Sequence, residues 1–433
     1  MSASGRQLPS RGKALNIANS TAGRTLACTL LAWLLVFVVC KHLLWRDPHS
    51  AFFSEDGVYD LGYSRVRQAE AREFIEQAEV DSSLADRNGT QSGLPVVCAG
   101  ITTFKREGTN YLNETVGTML AGLTHEERSA LDVRLLFAHV NPNVHVDWDR
   151  SWLRVVNHWS GYNVSETELN QIREWENAPN YYAKGVYDYM YVIRHCLSET
   201  SAPYIAIFED DIVFADGWLS KTLQALAELR ELSRSWLYLR LFYTETSLAW
   251  EAETDYWYGH QILTFSIAIT ATLAILLLLR RTVRPTRPYL DIPTTAVLVL
   301  VTVPAFVALT FMIGKYNLMP LHGLERMQRN GCCTQALIFP RSEASDLVHM
   351  LQERGSGQTD SMIEEYGTEM GLEKYALAPQ VVQHVGLVSS RDNLEINTRS
   401  TWAFWFETQS SAKLKKEHAA LARAGIWRAT GER

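Results

Sequence analysis

Three consecutive carboxylates, Glu209, Asp210 and Asp211, follow directly after a short apolar run, "YIAIF" at 204–208. The run is bounded by Pro203 and predicts a buried strand. Like charges this close repel, and burying an unpaired carboxylate is costly, so we expect a cation or a ligand beside them. Mn²⁺ or Mg²⁺ bridges carboxylates to the oxygens of a diphosphate. The pattern therefore indicates a metal-assisted transferase that uses a nucleotide-diphosphate sugar.

Two alternatives to this metal site stay open. The three acids could form a solvated turn at the end of a strand. A second acidic motif, Asp147-Trp148-Asp149, also has the D-x-D spacing of a metal site. No apolar strand leads into it, and it follows the loop residues 141–143, so we rank it behind residues 209–211.

Strands and helices must position these acids. Four apolar runs predict strands at 94–106, 132–140, 202–208 and 236–242. Helical spacing covers Tyr111–Leu123 and Tyr182–Leu197, and the alternation predicts a mostly parallel α/β sheet. Ligands bind at the carboxyl ends of such strands, which is where residues 209–211 stand, as do Thr103 and Arg106 after the first strand.

Three apolar segments are long enough to cross a membrane. They are residues 26–40, extended to 45 by a snorkelling Lys41 and His42, then 262–279, and 292–313. We expect a signal anchor followed by a transmembrane hairpin, with a buried core helix as the alternative for each segment.

Basic residues orient the predicted spans. Arginines and lysines precede the first span, and the short loop at 280–291 carries four arginines. The positive-inside rule places both in the cytosol and the rest of the chain in the lumen. Three glycosylation sequons lie on that predicted lumenal side, at Asn88, Asn113 and Asn163.

Cysteine usage fits an oxidising compartment. Outside the first span there are four cysteines, Cys98, Cys196, Cys332 and Cys333. They pair either as Cys98 with Cys196 and Cys332 with Cys333, or as cross-pairs between the two halves. The net charge of -7 and the lack of a basic patch interleaved with aromatic residues predict no nucleic-acid partner.

Several stretches resemble a known enzyme family. They are "VVCAGITTFKR", "NYYAKGVYDYMYVIRHCLSETSAPYIAIFEDDIVFADGW", "WLYLRLFYTE", "GCCTQALIFPR" and "APQVVQHVGLVSS". Together they resemble the post-GPI-attachment factor 4 family, Golgi enzymes that add an N-acetylgalactosamine branch to GPI anchors. The resemblance covers most of residues 90–400. It implies a GT-A fold split by a transmembrane hairpin, a UDP-sugar donor, and a GPI glycolipid or GPI-anchored protein as acceptor at the bilayer.

The same stretches also resemble the N-acetylglucosaminyltransferase IV relatives, which lack the hairpin and would imply an N-glycan acceptor. A non-catalytic lumenal binding protein on the same fold is a further alternative. A transporter is disfavoured, because the second and third apolar segments carry no charged residue that could line a conduction path.

The resemblance places the family's D-x-D-like motif on Glu209, Asp210 and Asp211. We expect Asp211 to bind Mn²⁺ or Mg²⁺, with Glu209 and Asp210 on the ribose, the sugar or a second coordination position. His384 is a further expected metal ligand, with a core histidine as the alternative. Thr103 would contact the uracil or the phosphates.

Further expected ligand contacts come from Arg106 and from Lys184 and Asp188, which lie one helical turn apart and could equally form a surface ion pair. The resemblance implies an inverting reaction, in which a carboxylate deprotonates the acceptor hydroxyl. Asp360 and Glu364 are the candidates for this base.

These expectations divide the chain as follows: a cytosolic tail at 1–25, a transmembrane anchor at 26–45, a lumenal stem at 46–92, a first catalytic part at 93–260, the hairpin at 261–314 with its cytosolic loop at 280–291, a second catalytic part at 315–409 and a basic tail at 410–433.

Overall fold

The structure is a computed structural model of the 433-residue chain. It describes residues 20–81, 94–232, 234–250, 252–327, 330–386 and 401–425. The chain forms two compact units. The apolar-helix unit comprises Met1–Val58 and Ala252–Pro320, and the sheet unit comprises Tyr59–Glu251 and Leu321–Arg433.

Ten strands are found in the described residues of the sheet unit. They are β1 Val97–Thr103, β2 Leu131–Phe137, β3 His158–Ser160, β4 Tyr204–Glu209, β5 Ile212–Phe214, β6 Trp236–Arg240, β7 Gly323–Met327, β8 Ala336–Pro340, β9 Glu373–Ala378 and β10 Val382–His384. The four strands predicted from apolar runs are confirmed as β1, β2, β4 and β6. Their runs are continuous because parallel strands in the middle of a sheet are buried on both faces.

The main sheet has the order β3-β2-β1-β4-β8-β6-β9-β7. Strands β3, β2, β1 and β4 are parallel, and β6 is parallel to β9. Strand β8 lies antiparallel between β4 and β6, and β7 is antiparallel to β9. The predicted mixed α/β architecture with a mostly parallel sheet is confirmed. A separate two-stranded ribbon pairs β5 with β10.

Fourteen helices are described. They are α1 Thr21–Leu43, α2 Tyr63–Val80, α3 Leu112–Leu120, α4 His125–Ala130, α5 Glu166–Asn177, α6 Tyr181–Glu199, α7 Trp218–Glu231, α8 Ala252–Gly259, α9 Gln261–Thr282, α10 Ile292–Ile313, α11 Lys315–Leu318, α12 Arg341–Arg354, α13 Thr359–Glu369 and α14 Ser411–Ala424. Of these, α6 packs closely on β1. A Cβ added at Gly100 of β1 would lie 2.0 Å from Val192 Cγ1 of α6, so only glycine allows this approach.

Two disulfides resolve the pairing that the sequence left open. Cys98 of β1 is bonded to Cys196 of α6, and Cys332 is bonded to its neighbour Cys333. The first bond ties α6 to the centre of the sheet, with both cysteines fully buried. The cross-pairing between the two halves of the chain is therefore wrong.

The segment predicted as a stem is divided between the two units. Residues from Tyr59 onward belong to the sheet unit, where Arg67 of α2 is only 2% exposed. Its guanidinium donates to the carbonyls of Phe214 and Thr118 and to Asp216. A buried guanidinium with this many acceptors fixes α2 to the sheet unit.

Three helices, α1, α9 and α10, are long and apolar enough to cross a membrane. In α1, Trp33 donates its indole N–H to the Ala305 carbonyl of α10 at 3.0 Å. Phe265 of α9 stacks on Phe311 of α10, with ring centroids 6.1 Å apart. The cysteines of the first apolar segment, Cys28 and Cys40, lie on α1 and are free. These helices fit a membrane protein.

Helix α10 contains a π turn at Leu298–Thr302. The turn ends two residues before Pro304, which has no N–H and would clash with a carbonyl of the preceding α-helical turn. At the end of the turn, the Val303 N–H donates to the Leu298 carbonyl, five residues back. The wider turn keeps the helix continuous past the proline.

Of the three predicted sequons, Asn88 lies outside the described residues. Asn163 is exposed, whereas Asn113 is half-buried in α3.

Candidate active site

A cleft of about 710 Å³ lies in the sheet unit at the carboxyl ends of β1 and β4. Its lining also includes residues of α5, the first half of α6, the three residues before β8, the start of α13 and the end of β10. Its volume is in the range of sites that hold a small ligand. The cleft thus brings together residues far apart in the sequence, at the position where open α/β sheets bind ligands.

Glu209, Asp211 and His384 converge in this cleft. Each offers one ligand atom, and the three atoms lie within 4.8 Å of one another. One oxygen of Asp211, Oδ1, is buried and has no hydrogen-bond partner within the described ranges. An unsatisfied buried carboxylate oxygen is costly unless a cation or ligand occupies the space beside it. Two carboxylates and an imidazole form a donor set that suits Mn²⁺ better than Mg²⁺, which prefers all-oxygen ligation.

The ribbon of β5 and β10 delivers His384. Residue 384 pairs with Ile212, which follows Asp211 directly, and the Val385 N–H donates to the Asp211 carbonyl at 2.9 Å. His384 Nε2 consequently lies 3.4 Å from Asp211 Oδ2. Two residues after His384, the backbone of Gly386 passes over the same carboxylate, and an added Cβ there would lie 2.0 Å from Asp211 Oδ2.

Asp211 and His384 shift each other's pKa. Burial raises the pKa of Asp211, but the charge and hydrogen bond of His384, together with Arg106, outweigh burial and hold that pKa below its ordinary value. Burial alone would lower the pKa of His384, but the charge and hydrogen bond of Asp211 have the larger effect, so the pKa of His384 is raised. The contact between Asp211 and His384 thus favours the protonated imidazole, and a metal ligated by His384 would compete with that proton.

Asp210 has a different environment from its neighbour. One of its oxygens accepts from the Thr103 hydroxyl at 2.6 Å and from the Phe104 N–H at 3.3 Å. The other lies 2.7 Å from the Arg106 guanidinium, which also donates to Asp211 at 3.1 Å. Burial lowers the pKa of Arg106, but both aspartates raise it, so Arg106 stays charged. Asp210 holds the loop after β1 in place.

Thr103 itself is fully buried and does not line the cleft, because its hydroxyl is bonded to Asp210. Its side chain lies behind Asp210, which does line the cleft, and holds that carboxylate in place. Arg106 does line the cleft.

Lys184 and Asp188 are buried, so they do not form a surface pair. Lys184 Nζ lies 3.0 Å from Asp188 Oδ2 and donates to the Ala138 carbonyl and the Tyr162 hydroxyl, each at 2.8 Å. Burial raises the pKa of Asp188. Both residues line the cleft. Because the Lys184 ammonium already has these acceptors, the main role of the pair is to fix the shape of the cleft wall.

The two candidate bases lie in different surroundings. Asp360, at the start of α13, lines the cleft and is partly exposed. Glu364 does not line it and is only 5% exposed. Its oxygens accept from Tyr238 at 2.5 Å, from Arg240 at 2.9 Å and from Lys374 at 2.9 Å. The structure brings Asp360 to the cleft and leaves Glu364 in a buried ion-pair network.

The competing acidic motif, Asp147-Trp148-Asp149, does not bring its two carboxylates into the cleft. Asp147 is buried and accepts from Asn110 at 2.6 Å, and burial raises its pKa. Asp149 is exposed and has a positive φ of 64°. Neither lines the cleft.

Two cleft residues have no predicted role from the sequence. Tyr189 Oη and Gln335 Oε1 are buried and have no hydrogen-bond partner among the residues described. Tyr189 is one residue from Asp188, and Gln335 is in "GCCTQALIFPR", so both lie in stretches that carry the family resemblance. Neither side chain has a charge or a motif spacing that would single it out.

An α/β sheet with a carboxylate-rich cleft at the ends of its parallel strands is the arrangement of an enzyme. Residues 97–383 of the chain match the family of GPI-N-acetylgalactosamine transferase PGAP4. The match covers more than half of the chain, and the chain belongs to this glycosyltransferase family. The predicted family is confirmed, and the matched range includes both α9 and α10. A comparison with curated proteins finds no match.

Proposed function

We propose that this protein is a Golgi membrane glycosyltransferase of GT-A fold. It moves N-acetylgalactosamine from UDP-GalNAc to the glycan of a GPI anchor with the help of Mn²⁺ or Mg²⁺. The observation that carries the proposal is the buried, unpartnered Oδ1 of Asp211 beside Glu209 and His384. It lies in the cleft of a chain that belongs to a family of GPI-N-acetylgalactosamine transferases.

Asp211 would hold the metal, with Glu209 and His384 as the further ligands. A bound divalent cation supplies charge neutralisation for the departing diphosphate. Arg106 is held beside Asp211 by two ion pairs and would add a second positive charge on the same side. Asp210 contributes by fixing Arg106 and the loop after β1.

The nucleotide would lie across the parallel part of the sheet. Phe104 and Trp175 line the cleft and offer aromatic surface to the uracil. The first residues of α6, starting at Tyr181, line it as well. The N-terminus of a 19-residue helix favours the negative charge of a diphosphate.

Asp360 is the base that we assign to an inverting reaction. It lines the cleft and is partly exposed, so an acceptor hydroxyl can approach its carboxylate and lose a proton to it. Glu364 is a poor candidate, because it is buried outside the cleft lining and its oxygens already accept from Arg240 and Lys374.

The three apolar helices explain the choice of a lipid-linked acceptor. We assign α1, α9 and α10 as membrane spans, with the N-terminus and the arginine-rich loop at 280–291 in the cytosol. The sheet unit is then lumenal, and α9 with α10 forms a transmembrane hairpin. Three spans restrict the tumbling of the enzyme at the bilayer, which favours an acceptor held at a fixed height above the lipid.

The test uses the full-length protein in detergent with UDP-GalNAc, UDP-GlcNAc and UDP-galactose, a GPI acceptor, and either Mn²⁺ or EDTA. We expect transfer from UDP-GalNAc that EDTA abolishes. Asp211→Asn should lower kcat/KM by at least about 100-fold in a folded protein, since one charged ligand of the metal is lost. The matched control is Asp149→Asn, which removes an exposed carboxylate of the competing motif and should leave the rate unchanged.

Equal rates for the wild type and Asp211→Asn, or transfer that persists in EDTA, would contradict metal-assisted catalysis at this cluster. Loss of activity in Asp149→Asn alone would move the metal site to residues 147–149.

A further inference from the structure

Besides Arg106 Nε, whose side chain is already placed beside Asp211, the cleft contains two buried polar atoms without partners that neither the metal cluster nor the base accounts for. Tyr189 Oη and Gln335 Oε1 each lack a hydrogen-bond partner within the part of the chain that is described. Gln335 is 6% exposed, and both residues line the cleft. Buried polar atoms without partners are rare in folded proteins because each costs free energy. A ligand that pairs with them removes that cost.

Both residues lie near Glu209. The Gln335 carbonyl accepts from the Glu209 N–H at 3.0 Å, which places this backbone directly beside the metal cluster. Tyr189 belongs to α6, and the charge of Glu209 acts on its hydroxyl. Both residues are therefore close to Glu209, one of the groups that would hold the metal.

Both side chains have rigid supports. Gln335 lies two residues after Cys333 of the Cys332–Cys333 disulfide, and Arg240 donates to the carbonyls of both cysteines. Tyr189 is in the middle of α6, which the disulfide at Cys196 ties to the sheet. Groups held this firmly keep their geometry without a ligand, which is a requirement for selective recognition.

The pair has complementary hydrogen-bonding roles. Burial, and then the charge of Glu209, raise the pKa of Tyr189 well above its ordinary value, so its hydroxyl remains a donor. Gln335 Oε1 is an acceptor. A ligand group that satisfies both must offer a donor to Gln335 and an acceptor to Tyr189. A 2-acetamido group offers them on two separate atoms, its N–H and its carbonyl oxygen, whereas the C2 hydroxyl of a hexose has a single oxygen with which to reach both protein atoms.

We propose that Gln335 and Tyr189 recognise the 2-acetamido group of the donor sugar, Gln335 accepting from its N–H and Tyr189 donating to its carbonyl. This inference rests on the proposed function and assigns two specificity-determining residues to it. The uracil ring also presents an N–H beside a carbonyl, but it belongs at the nucleoside end of the ligand, away from the metal and Glu209.

The experiment measures binding to the full-length protein in detergent with Mn²⁺. Calorimetry gives the Kd of UDP-GalNAc, UDP-galactose and UDP for the wild type, Gln335→Leu and Tyr189→Phe. Leu removes the amide at similar volume, and Phe removes only the hydroxyl. We expect each variant to weaken UDP-GalNAc about 10- to 100-fold, and to change UDP-galactose and UDP less than about threefold.

A matched control is Gln358→Leu, a second cleft glutamine whose side-chain oxygen already accepts from Ser361. It should leave the preference for UDP-GalNAc over UDP-galactose unchanged. A thermal unfolding transition for each variant establishes that it is folded. Tyr189→Phe is the smaller change, so it keeps the test valid if Gln335→Leu does not fold.

The outcomes separate the two proposals. A wild type that binds no UDP-sugar would refute the proposed function itself. A wild type that prefers UDP-GalNAc, with variants that keep the same preference, would overturn the role of Gln335 and Tyr189 alone. An equal loss for UDP and both UDP-sugars would show that the pair contacts the nucleotide, which also overturns it.

Discussion

Gly386 is the position where a single methyl group should disable the proposed metal site. An alanine Cβ there would lie 2.0 Å from Asp211 Oδ2, whereas ordinary van der Waals contact begins at 3.4 Å, so one group must move by about 1.4 Å. Asp211 is also held by His384, 3.4 Å from the same oxygen, and by Arg106 at 3.1 Å. Moving the carboxylate would break both contacts and displace the residue that we propose as the metal ligand.

The expected cost follows from that displacement. A shift of about 1 Å in a reacting group costs about 100-fold in rate, so Gly386→Ala should lower kcat/KM by about that factor. The affinity for Mn²⁺, measured by titration with electron paramagnetic resonance, should fall about 10- to 100-fold. Overpacking should lower the free energy of unfolding by about 1 to 3 kcal/mol, which leaves a folded protein.

The control is Gly259→Ala in α8, where an added Cβ meets nothing within 4 Å. It should retain the rate, the Mn²⁺ affinity and the stability of the wild type. If folded Gly386→Ala binds Mn²⁺ and transfers sugar as the wild type does, Asp211 does not act as a metal ligand in this conformation, and the reasoning from the cleft fails.

Two further predictions concern the residues around the cleft. Glu364→Gln should lower the free energy of unfolding by about 3 to 5 kcal/mol, because Arg240 and Lys374 lose their counter-charge. The folded fraction of Glu364→Gln should keep kcat within about threefold of the wild type. Asp360→Asn should instead lower kcat at least about 100-fold and leave the melting temperature unchanged. A large loss of kcat in Glu364→Gln, with a normal kcat in Asp360→Asn, would make Glu364 the base. For His139, burial first and then nearby positive charges lower the pKa to about 4, and its Nε2 accepts from the Lys105 N–H. Because this folded pKa is below the unfolded one, the stability from His139 is complete above about pH 6.5 and falls by up to about 3 kcal/mol as pH drops to 4. Denaturant titrations of His139→Gln should show a flatter pH dependence in that window, and an unchanged slope would contradict the assignment.

The sequence was sufficient to predict the elements with strong local patterns. Strands β1, β2, β4 and β6 were found from apolar runs because both of their faces are buried. Strands β3, β5 and β10 have three residues each, too few to show a period. Strand β7 lies at the edge of the sheet, where only one of its five residues is buried, so it lacks an apolar run.

The convergence at the cleft could be predicted only in part. The three acids after β4 were found from the cost of like charges at the end of a buried strand. Their different roles depend on contacts that no local pattern shows. Thr103 reaches Asp210 across 107 residues, and the pairing of β5 with β10 brings His384 to Asp211. The resemblance to the family supplied His384, and the residues alone did not.

The order of the strands shows that residues 252–320, which contain α9 and α10, do not separate two independent domains. Strand β8, which follows residues 252–320, is inserted between β4 and β6, which precede them. The first chain segment supplies Glu209 and Asp211, and the second supplies Gln335, Asp360 and His384. Neither segment can form the cleft alone, because the sheet that positions both sets of residues closes only when β8 pairs on both of its edges. The apolar helices therefore interrupt one folding unit, and any replacement for them must still allow β8 to reach the gap between β4 and β6.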